Sequence, residues 1–259
     1  MTQNIKRVVF DEDGFPEMLK EIPGAPKELY CLGELPEKNE VAIAIVGTRK
    51  LTSEGKIIAK QIGKSLAGKG IVVISGLALG IDAAAHEGAL LGSGKTIAVL
   101  AGGLENIYPR QNYPLSQKIL SQNGALVSEY PKSRPYYDGQ FLERNRIISG
   151  LAIATVIIEA PMRSGSLATA RYALEQGREV FVVPGPAGHP NYAGSHELIR
   201  NGARLITSAE DLFQDLNLET QEPKNKKQVF DENKNIIINV IKNSGEPIAI
   251  DNILEITKL

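Results

Sequence analysis

The chain has 259 residues, 42% apolar and 23% charged, which is enough for a sizeable buried core and ordinary for a globular protein. Its 29 basic and 30 acidic residues sum to a net charge of −1, and Cys31 is the only cysteine, so an internal disulfide framework and a Cys-rich zinc site are excluded. The apolar runs at 41–46 and 153–158 are far too short to cross a bilayer, and residues 1–10 lack the apolar core of a signal peptide, so a cytoplasmic protein with no membrane partner is expected.

Residues 1–40 read as a polar N-terminal arm, interrupted by Pro16, Pro23, Pro26 and Pro36. From residue 41 onward strands and helices alternate. Val/Ile-rich strands are expected at 42–46, 71–74, 96–100, 125–128, 154–159, 179–183 and 204–206. Helical spacing falls between them, at 53–67, 81–91, 114–122, 146–151, 167–176 and 196–201; Ile57, Ile58, Ile62 and Leu66, for example, share one face. Strands that are continuously apolar are buried on both sides, which predicts an α/β domain over 41–216 with a mostly parallel sheet and helices on both faces. Residues 217–228 (NLETQEPKNKKQ) read as a linker, and 229–259 as a short helical C-terminal segment with amphipathic patterns at 236–241 and 250–254. So short a segment rarely folds alone, which leaves docking, a partner interface or a truncated module.

The near-zero net charge conceals an asymmetry. Residues 41–210 hold 18 Lys and Arg against 12 Asp and Glu, whereas the two ends together hold 11 against 18. A basic body suits a polyanion ligand, and chance scatter of charge suits it equally.

Ligands of a parallel α/β sheet bind at the carboxyl ends of the strands. Gly- and Ser-rich turns fall at those ends: Gly47-Thr48-Arg49, residues 75–82 (SGLALGID), Ala101-Gly102-Gly103, Arg163-Ser164-Gly165-Ser166 and Pro184-Gly185-Pro186. Their backbone amides would give one rim an affinity for phosphate. A dinucleotide fingerprint is absent from the first turn, and the P-loop-like Gly92-Ser93-Gly94-Lys95-Thr96 has a helix before it and a strand after it, the reverse of what a P-loop needs. No metal set and no catalytic residue emerge: Asp82 and His86 share a helix face without a third ligand nearby, and no serine sits in a nucleophile elbow. Ser164 and Ser166 read as cap or phosphate donors. The run Phe141-Leu142-Glu143-Arg144-Asn145-Arg146 is the sharpest feature. Arginines two apart point to different sides of a helix, so one would enter the pocket and the other bond a neighbouring loop. Phe141, with Tyr136 and Tyr137 before it on a stretch expected to be irregular, suits base stacking beside a charged backbone, and equally a core aromatic next to ordinary ion pairs.

Taken in order, these stretches resemble the DNA-processing protein A family (DprA, also called Smf). The matching pieces are AIVGTR at 44–49, SGLALGID at 75–82, AAHEGAL at 84–90, TIAVLAGGLENIYP at 96–109, Arg144-Asn145-Arg146, SGSLATA at 164–170 and Val183-Pro184-Gly185, spread over roughly two thirds of the chain. Residues 14–35 are similar to the family's opening segment. The resemblance implies an extended Rossmann-like fold, binding of single-stranded DNA without strong sequence preference, loading of the RecA recombinase during transformation and recombination, and a homodimer. It implies no enzyme activity and no cofactor. Carried over residue by residue, it assigns DNA contacts to Arg49, Phe141, Arg144, Asn145 and Arg146 and to the turns at Gly102, Gly165 and Gly185. Two departures stand out: an N-terminal helical domain common in the family has no counterpart here, and residues 229–259 resemble only the first half of a winged-helix-like module.

An alternative from another class is a nucleotide-cleaving hydrolase of the lysine-decarboxylase-like Rossmann group, which opens a helix with PGGxGTxxE. The comparable start here, Ser164 to Ala170, has no glutamate before Glu175, so the general base is lacking.

Overall fold

The computed structural model describes residues 4–218, together with three isolated helical positions, Val240, Asn252 and Ile256. The chain divides into two compact units, Met1–Thr220 and Gln221–Leu259, and the first carries the sheet. The linker expected at 217–228 beyond its first two residues, and the helical segment expected over 229–259 apart from those three positions, lie outside the described residues.

The nine strands of one sheet are β1 (Lys6–Val9), β2 (Glu28–Gly33), β3 (Ala42–Gly47), β4 (Val72–Ser75), β5 (Thr96–Leu100), β6 (Ala125–Ser128), β7 (Ala154–Ile158), β8 (Glu179–Val182) and β9 (Arg204–Leu205), in the order β1-β2-β6-β5-β4-β3-β7-β8-β9. From β6 to β9 all neighbours are parallel, and β1 and β2 are antiparallel additions at one edge. The helices are α1 (Glu17–Lys20), α2 (Ser53–Gly68), α3 (Ile81–Leu91), α4 (Tyr113–Ser121), α5 (Asp138–Gly150), α6 (Gly165–Glu175), α7 (Ala193–Arg200) and α8 (Ala209–Asp215).

Strand side chains alternate between two cores, as the period of two requires. Ala42, Ala44 and Val46 of β3 pack with Leu19, Ile147, Ile148 and Ala170 of α1, α5 and α6. Ile43 and Ile45 of the same strand pack on the other face with Ile62, Leu66, Ala85 and Leu212 of α2, α3 and α8. Leu115 and Ile119 of α4 cover Ala98, Leu100 and Leu126. The result is a doubly wound, Rossmann-like fold with helices on both faces, as expected. Among the described residues no helix is long and apolar enough to cross a membrane.

Two segments differ from the sequence-based expectation. Within residues 1–40, read as a polar arm, two strands join the sheet: β2 pairs with β6 and β1 with β2, while Phe15, Leu19, Ile22 and Leu29 enter the core. The prolines that suggested an interrupted segment lie outside these strands; Pro16, for instance, precedes α1. Cys31 of β2 is buried, and that burial pushes its thiol up to about 12. The second difference is α5, which starts at Asp138 rather than near 146, so Phe141 lies on the helix and not on an irregular stretch. Its first turn is closed by the Gln140 side chain, which accepts from the Tyr137 N–H at 2.8 Å. Half of a capping box is therefore present, but a tyrosine stands where Ser, Thr, Asp or Asn would have signalled the start.

Winding reverses at β3. Its following helix, α2, lies on one face and leads to β4; on its other side β7 is reached through α5, on the opposite face. Loops leaving β3 and β7 therefore diverge and leave a crevice at their carboxyl ends, the position where doubly wound sheets bind ligands.

Candidate functional site

A cleft of about 380 Å³ occupies this switch point, bounded by the turn after β3, the loop after β4, the first half of α5 and the start of α6. A larger cavity of about 610 Å³ lies elsewhere, between residues 13–18 and 33–40, and is lined by Asp13, Glu17, Glu34, Glu37 and Glu40 against Lys6 and Lys38. That acidic wall repels a polyanion, whereas Arg49, Arg144 and Arg163 face the switch-point cleft.

Arg144 is anchored at the floor. It is 6% exposed, donates Nη1 to the carbonyls of Gly76 (2.9 Å) and Val99, and donates Nε to Asn145 Oδ1 at 3.3 Å. Nη2 has no protein acceptor among the described residues. Burial lowers the guanidinium to about 10, an effect opposed by Asp82 and reinforced by Arg49, and it remains a cation at neutral pH. Asp82 is buried beside it and accepts the Gly76 N–H at 3.0 Å. Burial raises the Asp82 carboxyl, and Arg144 and the amides of Gly76 and Ala78 pull it back down. Position 76 has to be glycine for this arrangement: a Cβ there would lie 2.6 Å from Arg144 Nη2 and 2.8 Å from Asp82 Oδ2.

Higher on the wall, the exposed Arg49 lies over the Phe141 ring, its Cζ 5.5 Å from the centroid. Asn145 donates Nδ2 to the Gly165 carbonyl at 3.2 Å and so ties α5 to the beginning of α6. Ser164 caps α6, accepting from the Ser166 N–H at 3.3 Å, and its Oγ lies 2.7 Å from that of Ser166. Arg49, Phe141, Arg144, Asn145, Ser164, Gly165 and Ser166 all border this one cleft.

Three of the expected contact residues lie elsewhere. Arg146 points to the other side of α5 and pairs with Glu129 at 2.5 Å, the two-sided placement that its spacing from Arg144 demands. Gly102 sits beneath residues 134–136, where a Cβ would be 3.1 Å from Tyr136 Cβ. Gly185 lies against the Tyr192 ring, and its carbonyl is 3.1 Å from His196 Nε2. The amide-lined rim is also smaller than five turns would make it, because several N–H groups are spent within the protein: Thr48 on the Glu159 carbonyl, Gly76 on Asp82, Gly103 on the Arg134 carbonyl and Ser164 on the Pro161 carbonyl. Arg163, Asp82 and Gly76 belong to the site but were not among the expected contacts. Each falls within or beside a glycine-rich turn, which was the available signal. His86 is a packing residue, buried with Nδ1 2.7 Å from Thr96 Oγ1. Glu159 meets no arginine among the described residues: it accepts from Thr52 N (3.0 Å), Asn191 Nδ2 (2.9 Å) and Tyr192 OH (3.1 Å). No metal-binding group of His, Cys, Asp and Glu occurs among the described residues.

Comparison with known proteins identifies the family of this chain. Residues 6–217 match the model of a family described as DNA recombination-mediator protein A. The chain belongs to that family. To another protein, Protein Smf of Escherichia coli K12, this recombination-mediator homologue is 44% identical over 206 residues, covering 80% of this chain and 55% of that one, so it spans about half the length of that relative. The X-ray structure of DNA processing protein A from Streptococcus pneumoniae superposes with a TM-score of 0.74 at 35% identity, covering 82% of this chain and 75% of the other. The Helicobacter pylori DNA processing protein A, whose structure concerns its single-stranded DNA binding mode, superposes with a TM-score of 0.71 at 30% identity, covering 84% and 98%.

Proposed function

We propose that the switch-point cleft binds single-stranded DNA without strong sequence preference, and that the protein passes the strand to a RecA-type recombinase as a homodimer and not as an enzyme. The observation that carries the reading is the Arg49–Phe141 pair standing above the anchored Arg144: two cations for phosphates and a ring for a base share one cleft. Gly165, the first residue of α6, adds an amide at a helix N-terminus on the same wall. Family membership as a recombination mediator supports the handover, and the Helicobacter pylori relative supports the ligand.

Anisotropy with a labelled oligo-dT across a salt series tests the site. Arg49→Ala and Arg163→Ala should each weaken binding to every sequence and reduce the salt slope by about 0.7 per lost phosphate contact. If both variants bind as tightly as the wild type, the cleft is not the site. Faster RecA nucleation on the coated strand is the expected result for the handover, and no acceleration would remove it. Light scattering at micromolar concentration should return twice the 28.0 kDa chain mass.

A further inference from the structure

Phe141 has two aromatic neighbours, neither of which lines the cleft itself. Tyr108, in the turn after β5, and Tyr136, just ahead of α5, have ring centroids 5.4 and 5.6 Å from that of Phe141 and 4.3 Å from each other. Both tyrosines are 38% exposed, and neither hydroxyl has a hydrogen-bond partner among the described residues. The two rings pack against each other, yet more than a third of each residue remains open to solvent, unlike an aromatic that closes a core. Tyr136 reaches its place because Gly102 beneath it has no side chain. A hollow of about 40 Å³ is bounded by Tyr108 and by Arg49, Phe141 and Arg144, which also line the cleft, so Tyr108 adjoins the phosphate-binding wall and Tyr136 reaches it through the Tyr108 and Phe141 rings.

We propose that Tyr108 and Tyr136 form a second nucleobase seat, so that a strand whose phosphates pass Arg49 lays one base on Phe141 and a neighbouring base on the tyrosines. This rests on the single-strand reading of the cleft. A nucleobase is the occupant that fits: it is planar with apolar faces, it carries donors and acceptors at its edge for the two free hydroxyls, and the adjoining cations hold its backbone.

Three probes of equal length separate the contributions: oligo-dT, an abasic deoxyribose-phosphate chain, and oligo-dT carrying 5-iodouracil. Tyr108→Leu and Tyr136→Leu should each lose about tenfold in affinity for oligo-dT, within the range of one stacked base, and nothing for the abasic chain. Arg49→Ala should lose on both, and Tyr136→Phe should restore most of the tyrosine effect. Irradiating the wild-type protein with the iodinated strand should crosslink Tyr108 or Tyr136, a readout that does not depend on how the variants fold. Unchanged oligo-dT binding by both leucine variants, or crosslinks confined to other residues, would overturn the second seat while leaving the cleft in place. If the wild type binds neither oligo-dT nor the abasic chain at low salt, the single-strand reading fails and the seat with it.

Discussion

The guanidinium of Arg144 stays charged in a buried position because the backbone carbonyls of Gly76 and Val99 accept hydrogen bonds from its Nη1 and Asp82 sits beside it. Gly76→Ala should therefore displace Arg144 and Asp82, cost about 1–3 kcal/mol of stability and weaken oligo-dT binding, which urea unfolding and anisotropy read separately. Arg146→Gln makes the contrast: it removes the Glu129 pair and should lower the thermal midpoint, yet leave the affinity of the folded protein for oligo-dT unchanged. His86 supplies a pH dependence. Thr96 Oγ1 donates to the Val73 carbonyl at 2.7 Å, so His86 must donate from Nδ1, and Nε2 is left buried without a partner. Burial, reinforced by the Arg144 charge, pulls this imidazole from 6.5 down to about 3. Between those values the unfolded chain binds the extra proton, so stability is full above about 6.5 and declines as pH falls towards 3, by at most about 1.4 kcal/mol per pH unit. Urea midpoints from pH 7 to 4 should fall less steeply in His86→Gln than in the wild type. The opposite directions of Arg144 and Arg146 were legible from their spacing; the partners were not, since Gly76, Val99 and Glu129 come together only through the crossovers.

Among the elements, those with regular apolar spacing were readable almost to the residue. The expected helix at 81–91 and strands at 96–100 and 125–128 coincide with α3, β5 and β6. Misreadings arose where the local signal was weak. β1 and β2 are antiparallel edge strands that carry exposed or half-buried residues such as Lys6, Arg7 and Glu28, so they lack the continuous apolar run that marked the four-residue β6. The start of α5 is capped by a residue type that does not usually cap. The N-terminal strands carry a prediction. Removing residues 1–33 would strip Leu19, Ile22 and Leu29 from the core and leave β6 an open edge, so the truncated chain should aggregate on expression while the full chain stays in the supernatant.

For the molecule as a whole, the strand order set the location of the cleft, and no motif printed it. Glycine-rich turns marked the rim, but five of them suggested a wider amide surface than the fold provides. Only the turns after β3, β4 and β7 border the cleft itself, which lies where the winding reverses at β3; the turn after β5 reaches only the hollow beside it, through Tyr108. The positive balance of residues 41–210 is likewise not spread evenly: the cleft gathers Arg49, Arg144 and Arg163, and the acidic side chains of the first forty residues border a different cavity.

The lone sulfhydryl, sealed inside β2 and held in its protonated form, offers no nucleophile at neutral pH. A maleimide dye should leave the unaltered chain colourless. One engineered attachment point at the exposed Leu142 would then report DNA arrival from a single defined spot, with the native sulfur left in place.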